Sequence, residues 1–155
     1  KLFGFTHSYD ETKAVYSSKD DQDLYANAVS SYLNGDHKKS TENLKTLIEN
    51  NKNNPFFKEL IGEIFFVNQK YDQAVYYQRD AMNNLNLDND IYMMMLGNYL
   101  LSTEEKEKVN ESIGYLKKSI QINSRNAYSW YLLAKAYAYM DNISFANYAT
   151  AERYF

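Results

Sequence analysis

Near its C-terminal end the chain reads Trp130-Tyr131-Leu132-Leu133-Ala134-Lys135-Ala136-Tyr137-Ala138-Tyr139-Met140-Asp141-Asn142-Ile143-Ser144-Phe145-Ala146. Trp130, Leu133, Ala134 and Tyr137 stand at offsets of 0, 3, 4 and 7, which places them on one face of a helix. Ala146 follows beyond a short turn. An ordinary amphipathic helix needs an apolar stripe but no small residue between a tryptophan and a tyrosine. Small residues on such a face let two helix backbones come close, and large neighbours fill the space beside them. The stretch therefore predicts a pair of tightly packed helices, with Trp130 and Tyr137 as packing residues.

Counted from Ala127, Trp130 is fourth, Leu133 seventh, Ala134 eighth, Tyr137 eleventh and Ala146 twentieth. This spacing resembles the 34-residue tetratricopeptide repeat, a helix-turn-helix unit. The turn position, usually glycine, is Asp141, and Thr150 replaces the usual later aromatic residue. Earlier units follow the same count. From Pro55, Ile61, Gly62, Phe65, Tyr71, Ala74 and Ala81 fill their places. From Asp21, Leu24, Ala28, Gly35, Ser40 and Leu44 do so. A third unit starts near Asp90 with Leu96, Gly97 and Leu100. Its second helix, with Ser112, Leu116 and Ile120, fits only with about three residues inserted within Ser102–Val109. The charged run Glu104–Lys108 reads there as a solvated loop.

The expected fold is all-α, a right-handed tetratricopeptide superhelix of about four hairpins over residues 21–155. One hairpin cannot bury its own apolar face, so neighbours stack into a continuous core. Helices are expected near 22–34, 37–50, 55–68, 71–84, 89–101, 109–122, 126–140 and 143–154. Connectors rich in Asn, Asp and Ser supply helix caps, and Pro55 suits a first helical turn. Residues 1–20 fall outside the repeat and read as a connecting segment or N-terminal cap, with a short helix over Asp10–Tyr16.

The net charge of −3 offers no basic field for nucleic acid. No apolar run reaches the roughly 18 residues of a membrane span. The absence of cysteine excludes disulfides, zinc-thiolate sites and cysteine nucleophiles. His7 and His37 are the two histidines, and neither belongs to a zinc-binding or triad arrangement. No Gly-rich phosphate loop occurs. No catalytic, cofactor or metal residue is expected in this chain. Met93-Met94-Met95 suits an adaptable binding surface, but on a buried helix part of it reads more simply as core.

In a stack of this kind the first helix of each hairpin lines the concave face through its second, fifth, ninth and twelfth residues. Those are Tyr25, Val29 and Tyr32 in the first unit, and Phe56, Glu59, Glu63 and Phe66 in the second. The third supplies Met94, Asn98 and Leu101, and the fourth Tyr128, Tyr131, Lys135 and Ala138. Aromatic rings with a few polar groups among them suit an extended or helical polypeptide. The rings equally suit contacts with neighbouring helices.

Three features extend the likeness. They are Asn54-Pro55-Phe56-Phe57 with the following Glu59-Leu60-Ile61-Gly62, the leader Lys1-Leu2-Phe3-Gly4-Phe5 ahead of Tyr25–Val29, and the lengthened turn before Asn110–Ile113. Together they resemble the C-terminal region of exported bacterial zinc metalloproteases, in which an HExxH domain precedes tetratricopeptide repeats. The resemblance implies a non-catalytic substrate- or partner-binding domain, periplasmic, packed beside a protease domain that carries the zinc. The chain itself holds none of that family's zinc ligands and not its catalytic glutamate. The alternative is a free-standing repeat scaffold in secretion or envelope assembly, cytoplasmic if an adaptor.

Overall fold

The computed structural model describes residues 19–85 and 89–154. They form α1 (Lys19–Leu33), α2 (His37–Asn50), α3 (Pro55–Val67), α4 (Tyr71–Asn83), α5 (Asp90–Ser102), α6 (Lys106–Ile122), α7 (Ala127–Tyr139) and α8 (Ile143–Glu152). No strand occurs among the described residues. Consecutive helices pair as α1/α2, α3/α4, α5/α6 and α7/α8, and each hairpin packs on the next. All eight expected helices are present. The largest differences are earlier starts of α1 and α6, at Lys19 and Lys106. The helix expected over Asp10–Tyr16, and His7, lie outside the described residues.

The helix ends follow from local chemistry. The side chains of Asp36, Asn54, Asn89 and Asn126 each accept a backbone N–H in the first turn of the helix that follows. Pro55 occupies the first turn of α3, where its missing N–H is not needed. The turns within the hairpins share one backbone conformation. The fifteenth residue of each unit is left-handed: Gly35 at φ 79°, Gln69 at 59°, Glu104 at 55° and Asp141 at 56°. In three of them the chain then closes back on the helix, Asp36 N donating to Ser31 O at 2.8 Å, Lys70 N to Phe65 O and Asn142 N to Tyr137 O, both at 2.9 Å, whereas Glu105 N in the third donates to Thr103 Oγ1 at 3.3 Å. Only the first of the four turns uses the glycine that this conformation favours.

The eighth and twentieth positions make the close approaches. Ser40 Oγ donates to the carbonyl of Ala28 at 2.7 Å, joining the two helices of the first hairpin directly. A Cβ added at Gly97 would lie 2.7 Å from Leu116 Cγ, so α5 and α6 fit together only because that position is bare. Between hairpins, Ser119 and Ser129 share a hydroxyl hydrogen bond of 2.8 Å where α6 meets α7. The core runs the length of the stack as two clusters. One centres on Leu44, Phe57, Ile61 and Leu100, the other on Leu116, Leu132, Leu133 and Ala136.

Two expectations are corrected. The third unit has no insertion between its helices: Thr103, Glu104 and Glu105 form a connection as short as the others. Val109 takes the twentieth position and is fully buried, with Ser112, Leu116 and Ile120 in register behind it. The extra length lies at the far end of α6, which has 17 residues against 14 in α2 and 13 in α4. Lys106, Glu107 and Lys108 are thus helical, although exposed or half-exposed. A valine where serine or alanine stands in other units hid the register. The second correction is Ala134, expected to be buried but half-exposed. Ala74 and Gly62 lie in a hairpin flanked on both sides, whereas nothing among the described residues stacks beyond the last hairpin.

Trp130 and Tyr137 are packing residues. Trp130 meets Tyr148 edge-on at 6.1 Å, and its Nε1 donates to the Ser124 carbonyl at 2.9 Å. Tyr137 is buried and stacks on Phe145 at 5.2 Å. Met93 is core, while Met94 and Met95 pack half-buried against the two clusters.

Candidate functional site

The first helices of successive hairpins are knit together by short contacts. The rings of Tyr25 and Phe57 lie 5.7 Å apart, and Phe66 stacks on Tyr99 at 4.6 Å. Tyr32 donates its hydroxyl to Glu63 Oε1 at 3.3 Å, and Tyr92 donates to Glu59 Oε2 at 3.1 Å. The second helices are bridged instead by long exposed ion pairs, Arg79 to Glu111 at 2.7 Å and Lys108 to Asp72 at 2.6 Å. The α1–α3–α5–α7 layer is therefore the inner one, and the α2–α4–α6–α8 layer the outer.

Along the inner layer the predicted binding residues fall into three groups. Tyr25, Val29, Tyr32, Phe56, Glu63, Phe66, Met94 and Asn98 are half-buried. Glu59 and Leu101 are buried, at 5% and 6% exposure, because the next hairpin covers them. Neither presents a free side chain to solvent, contrary to the reading of both as surface residues. In the last unit Tyr128, Tyr131, Lys135 and Ala138 are exposed. Tyr128 stacks on Tyr131 at 5.8 Å. Arg153 lies 4.9 Å from the Tyr131 ring centre and Lys135 Nζ 5.8 Å from it, so this end of the groove is aromatic with a cationic rim.

The middle of the groove has the opposite sign. Glu59 and Glu63 are one turn apart on α3, with Tyr25 and Tyr32 on one side and Tyr92 and Tyr99 on the other. Burial pushes the Glu59 carboxyl up to about 7, against a partial opposing effect of the Tyr92 hydrogen bond. Burial also raises Glu63, again opposed by the hydrogen bond from Tyr32. All four tyrosines are held above the ordinary phenol range, first by burial. They remain neutral hydrogen-bond donors throughout the physiological range.

Tyr92 and Tyr99 were missed by the sequence reading. They occupy the third and tenth places of their unit, not those assigned to the concave face. Their signal was the spacing: each stands 33 residues after the side chain it meets, Glu59 or Phe66. His37 opens α2, where Asn68 Nδ2 approaches its Nδ1 at 2.8 Å. The outer layer holds one further feature. Phe145 and Tyr148 on α8 are 53% and 55% exposed where α2 and α6 carry lysine or glutamate, and Tyr76 on α4, at the place of Tyr148, is 63% exposed.

No family profile and no curated protein matches this sequence. Solved structures do match in three dimensions. A structure of MamA from Desulfovibrio magneticus RS-1 superposes with a TM-score of 0.81 at 15% identity, covering 89% of this chain and 76% of that one. Another crystal structure of MamA gives 0.78 at 17% identity, covering 94% and 81%. The Thermobaculum terrenum O-GlcNAc transferase gives 0.63 at 18% identity, covering 79% of this chain and 23% of the transferase. The fold is a tetratricopeptide-type superhelix. The partly exposed tyrosines and phenylalanines of its inner layer thus belong to equivalent helices of the first, second and fourth hairpins, with Met94 and Asn98 between them on α5.

Proposed function

We propose that this chain is a non-catalytic polypeptide-binding domain, and that the inner groove is the surface it uses. The supporting observation is the continuity of that surface. Aromatic side chains from three of the four first helices remain at least partly exposed along it, Tyr25 and Tyr32 on α1, Phe56 and Phe66 on α3, and Tyr128 and Tyr131 on α7, with half-buried Met94 and Asn98 on α5 between them. Rigid aromatic rings supply contact area at small entropic cost, and tyrosine adds a hydrogen-bonding tip. The test is an array of short peptides probed with the purified chain. Tyr131→Ala should weaken capture about fivefold or more, as a contributing interface aromatic does, with the melting midpoint nearly unchanged. A fall in midpoint with capture intact would make Tyr131 a packing residue and remove that end of the groove from the site.

The finer reading is that the domain serves an exported zinc metalloprotease, binding substrate or partner beside the catalytic domain. It rests on the Asn54–Gly62 stretch and the aromatic leader. The lengthened turn that also carried the resemblance is not present, since the third hairpin turns as tightly as the others. The test is the coding sequence upstream of Lys1. A signal sequence followed by an HExxH domain would support this reading. A start codon immediately before Lys1 would replace it with the free-standing scaffold.

A further inference from the structure

We infer that the chain's own leader covers the first part of the inner groove, with Leu2, Phe3 and Phe5 seated along α1 and α3 and Lys1 directed toward Glu63. This rests on the polypeptide-binding reading above and deepens it. The first polypeptide the groove holds is the chain's own N-terminal segment, which an outside partner must displace.

The leader has a composition that calls for a surface. Three of its first five residues, Leu2, Phe3 and Phe5, are large and apolar. So short a stretch cannot build a core, and its apolar area leaves water only by docking on another face. The inner groove offers a matching one. Tyr25, Val29 and Tyr32 on α1 and Phe56 and Phe66 on α3 are half-buried there. The outer side of the first hairpin is unlike it, with exposed Lys38, Glu42 and Lys45 on α2.

The charges agree with this placement. Glu59 and Glu63 make the middle of the groove acidic, and the leader opens with a lysine. Burial raises Glu63 and the Tyr32 hydrogen bond lowers it, and a third, smaller effect is the positive charge of the chain's terminal amino group, which also lowers it. A charge at the head of the leader is therefore felt at the centre of the groove. Such an effect between groups at the protein surface fades beyond about 10 Å.

The leader is long enough to reach. Tyr32, which donates to Glu63, stands thirteen residues beyond Lys19 on α1, about 20 Å at the helical rise. The eighteen residues ahead of Lys19 span up to about 60 Å when extended. They can turn at the start of α1 and run back along it with length to spare, which brings the first residues to Glu63 and the apolar ones alongside α1 and α3. Tethering makes even a weak fit effective. A short tether gives a local concentration of about 1 mM. A segment that binds at about 100 μM is then docked roughly nine-tenths of the time, and an outside polypeptide sees its affinity lowered about tenfold.

The absence of cysteine supplies the experiment, because an introduced pair reports one contact alone. In the full chain Thr6→Cys is combined with Val29→Cys on the inner layer or with Tyr76→Cys on the outer layer, and each protein is treated with a short bis-maleimide. Tyr76 is the more exposed position, so unguided collision favours the outer pair. The inner pair should nevertheless crosslink within one chain about tenfold faster. Phe3→Ser with Phe5→Ser should abolish that preference. Glu63→Gln should slow the inner crosslink about threefold, and Glu111→Gln on the outer layer should leave it unchanged. In a second measurement, a dye-labelled peptide of residues 1–18 should bind the Phe3→Ser, Phe5→Ser protein about tenfold more tightly than the wild type, read by fluorescence anisotropy. Equal crosslinking of the two pairs would overturn the inference, as would equal peptide binding by the two proteins. A crosslink formed only between chains, at a rate rising with protein concentration, would give the groove to a second copy and overturn it as well. The peptide array with Tyr131→Ala is unaffected by these outcomes, so the general polypeptide-binding reading stands or falls separately.

Discussion

Gly97→Ala places a methyl group where α5 and α6 leave no room for one. The new Cβ would lie 2.7 Å from Leu116 Cγ, 2.8 Å from Cδ2 and 3.5 Å from Cδ1. Carbon atoms pack best at about 3.5–4.0 Å, so two of the three contacts are well inside that range. The nearest atom is the branch carbon of leucine rather than a free tip, and Leu116 is fully buried, so it has little room to turn. Overpacking of this kind costs about 1–3 kcal/mol. Replacing glycine by alanine within a helix returns about 1 kcal/mol. The single variant should therefore lose up to about 2 kcal/mol. Its sign should reverse once the leucine is trimmed: in a Leu116→Ala background the same change should stabilise by about 1 kcal/mol. Urea unfolding of the four proteins, followed by helical circular dichroism, gives the coupling energy, expected at about 1–3 kcal/mol. An effect of Gly97→Ala equal in both backgrounds, within about 0.5 kcal/mol, would refute the close approach and the register of the third hairpin with it.

Gln69→Gly should stabilise the protein by about 0.5–1 kcal/mol, because relief of the left-handed strain outweighs the added freedom of the unfolded chain. A melt no higher than wild type would show that the turn at Gln69 is relaxed without glycine. Glu59→Gln should be nearly neutral at pH 5 and stabilising at pH 8. The folded carboxyl is raised from 4.5 to about 7, so its contribution is fully present below 4.5 and is lost as pH rises through 7. The difference between the two pH values should be about 2–3 kcal/mol. Parallel pH–stability curves for variant and wild type would contradict the burial of an ionisable Glu59. Ala74→Leu should cost about 1–3 kcal/mol at its fully buried position. Ala134→Leu, at the open end of the stack, should cost clearly less. Equal losses in thermal melts would mean that Ala134 is as enclosed as Ala74.

Over the described residues, the periodicity of the chain was enough to determine the helix count, most helix bounds and the hairpin pairing. These are local properties: an apolar face at 3.6-residue spacing, asparagine or aspartate at a cap, and proline in a first turn. Gly62, Gly97 and Ala74 announced the close approaches because only small side chains permit them. The same local logic failed at Val109, where a larger residue fills a place that other units give to serine or alanine. At the turns identity was a weaker guide, since Gln69 and Glu104 adopt a left-handed conformation that their side chains do not signal, whereas Asp141 stands at the expected turn position. The inner groove was legible as a set of positions but not as a site. Which of them would be covered depended on the neighbouring hairpin, which buries Glu59 and Leu101 and leaves Tyr128 and Tyr131 open. The pairing of Tyr32 with Glu63 and Tyr92 with Glu59 also required stacking, because each bond joins residues more than thirty apart. Their separation follows the repeat length, but whether the side chains meet is set by the angle and distance between successive hairpins. Helix periodicity is written in single residues along the chain. The electrostatics of the groove arise only when three units stack and exclude water from two carboxylates.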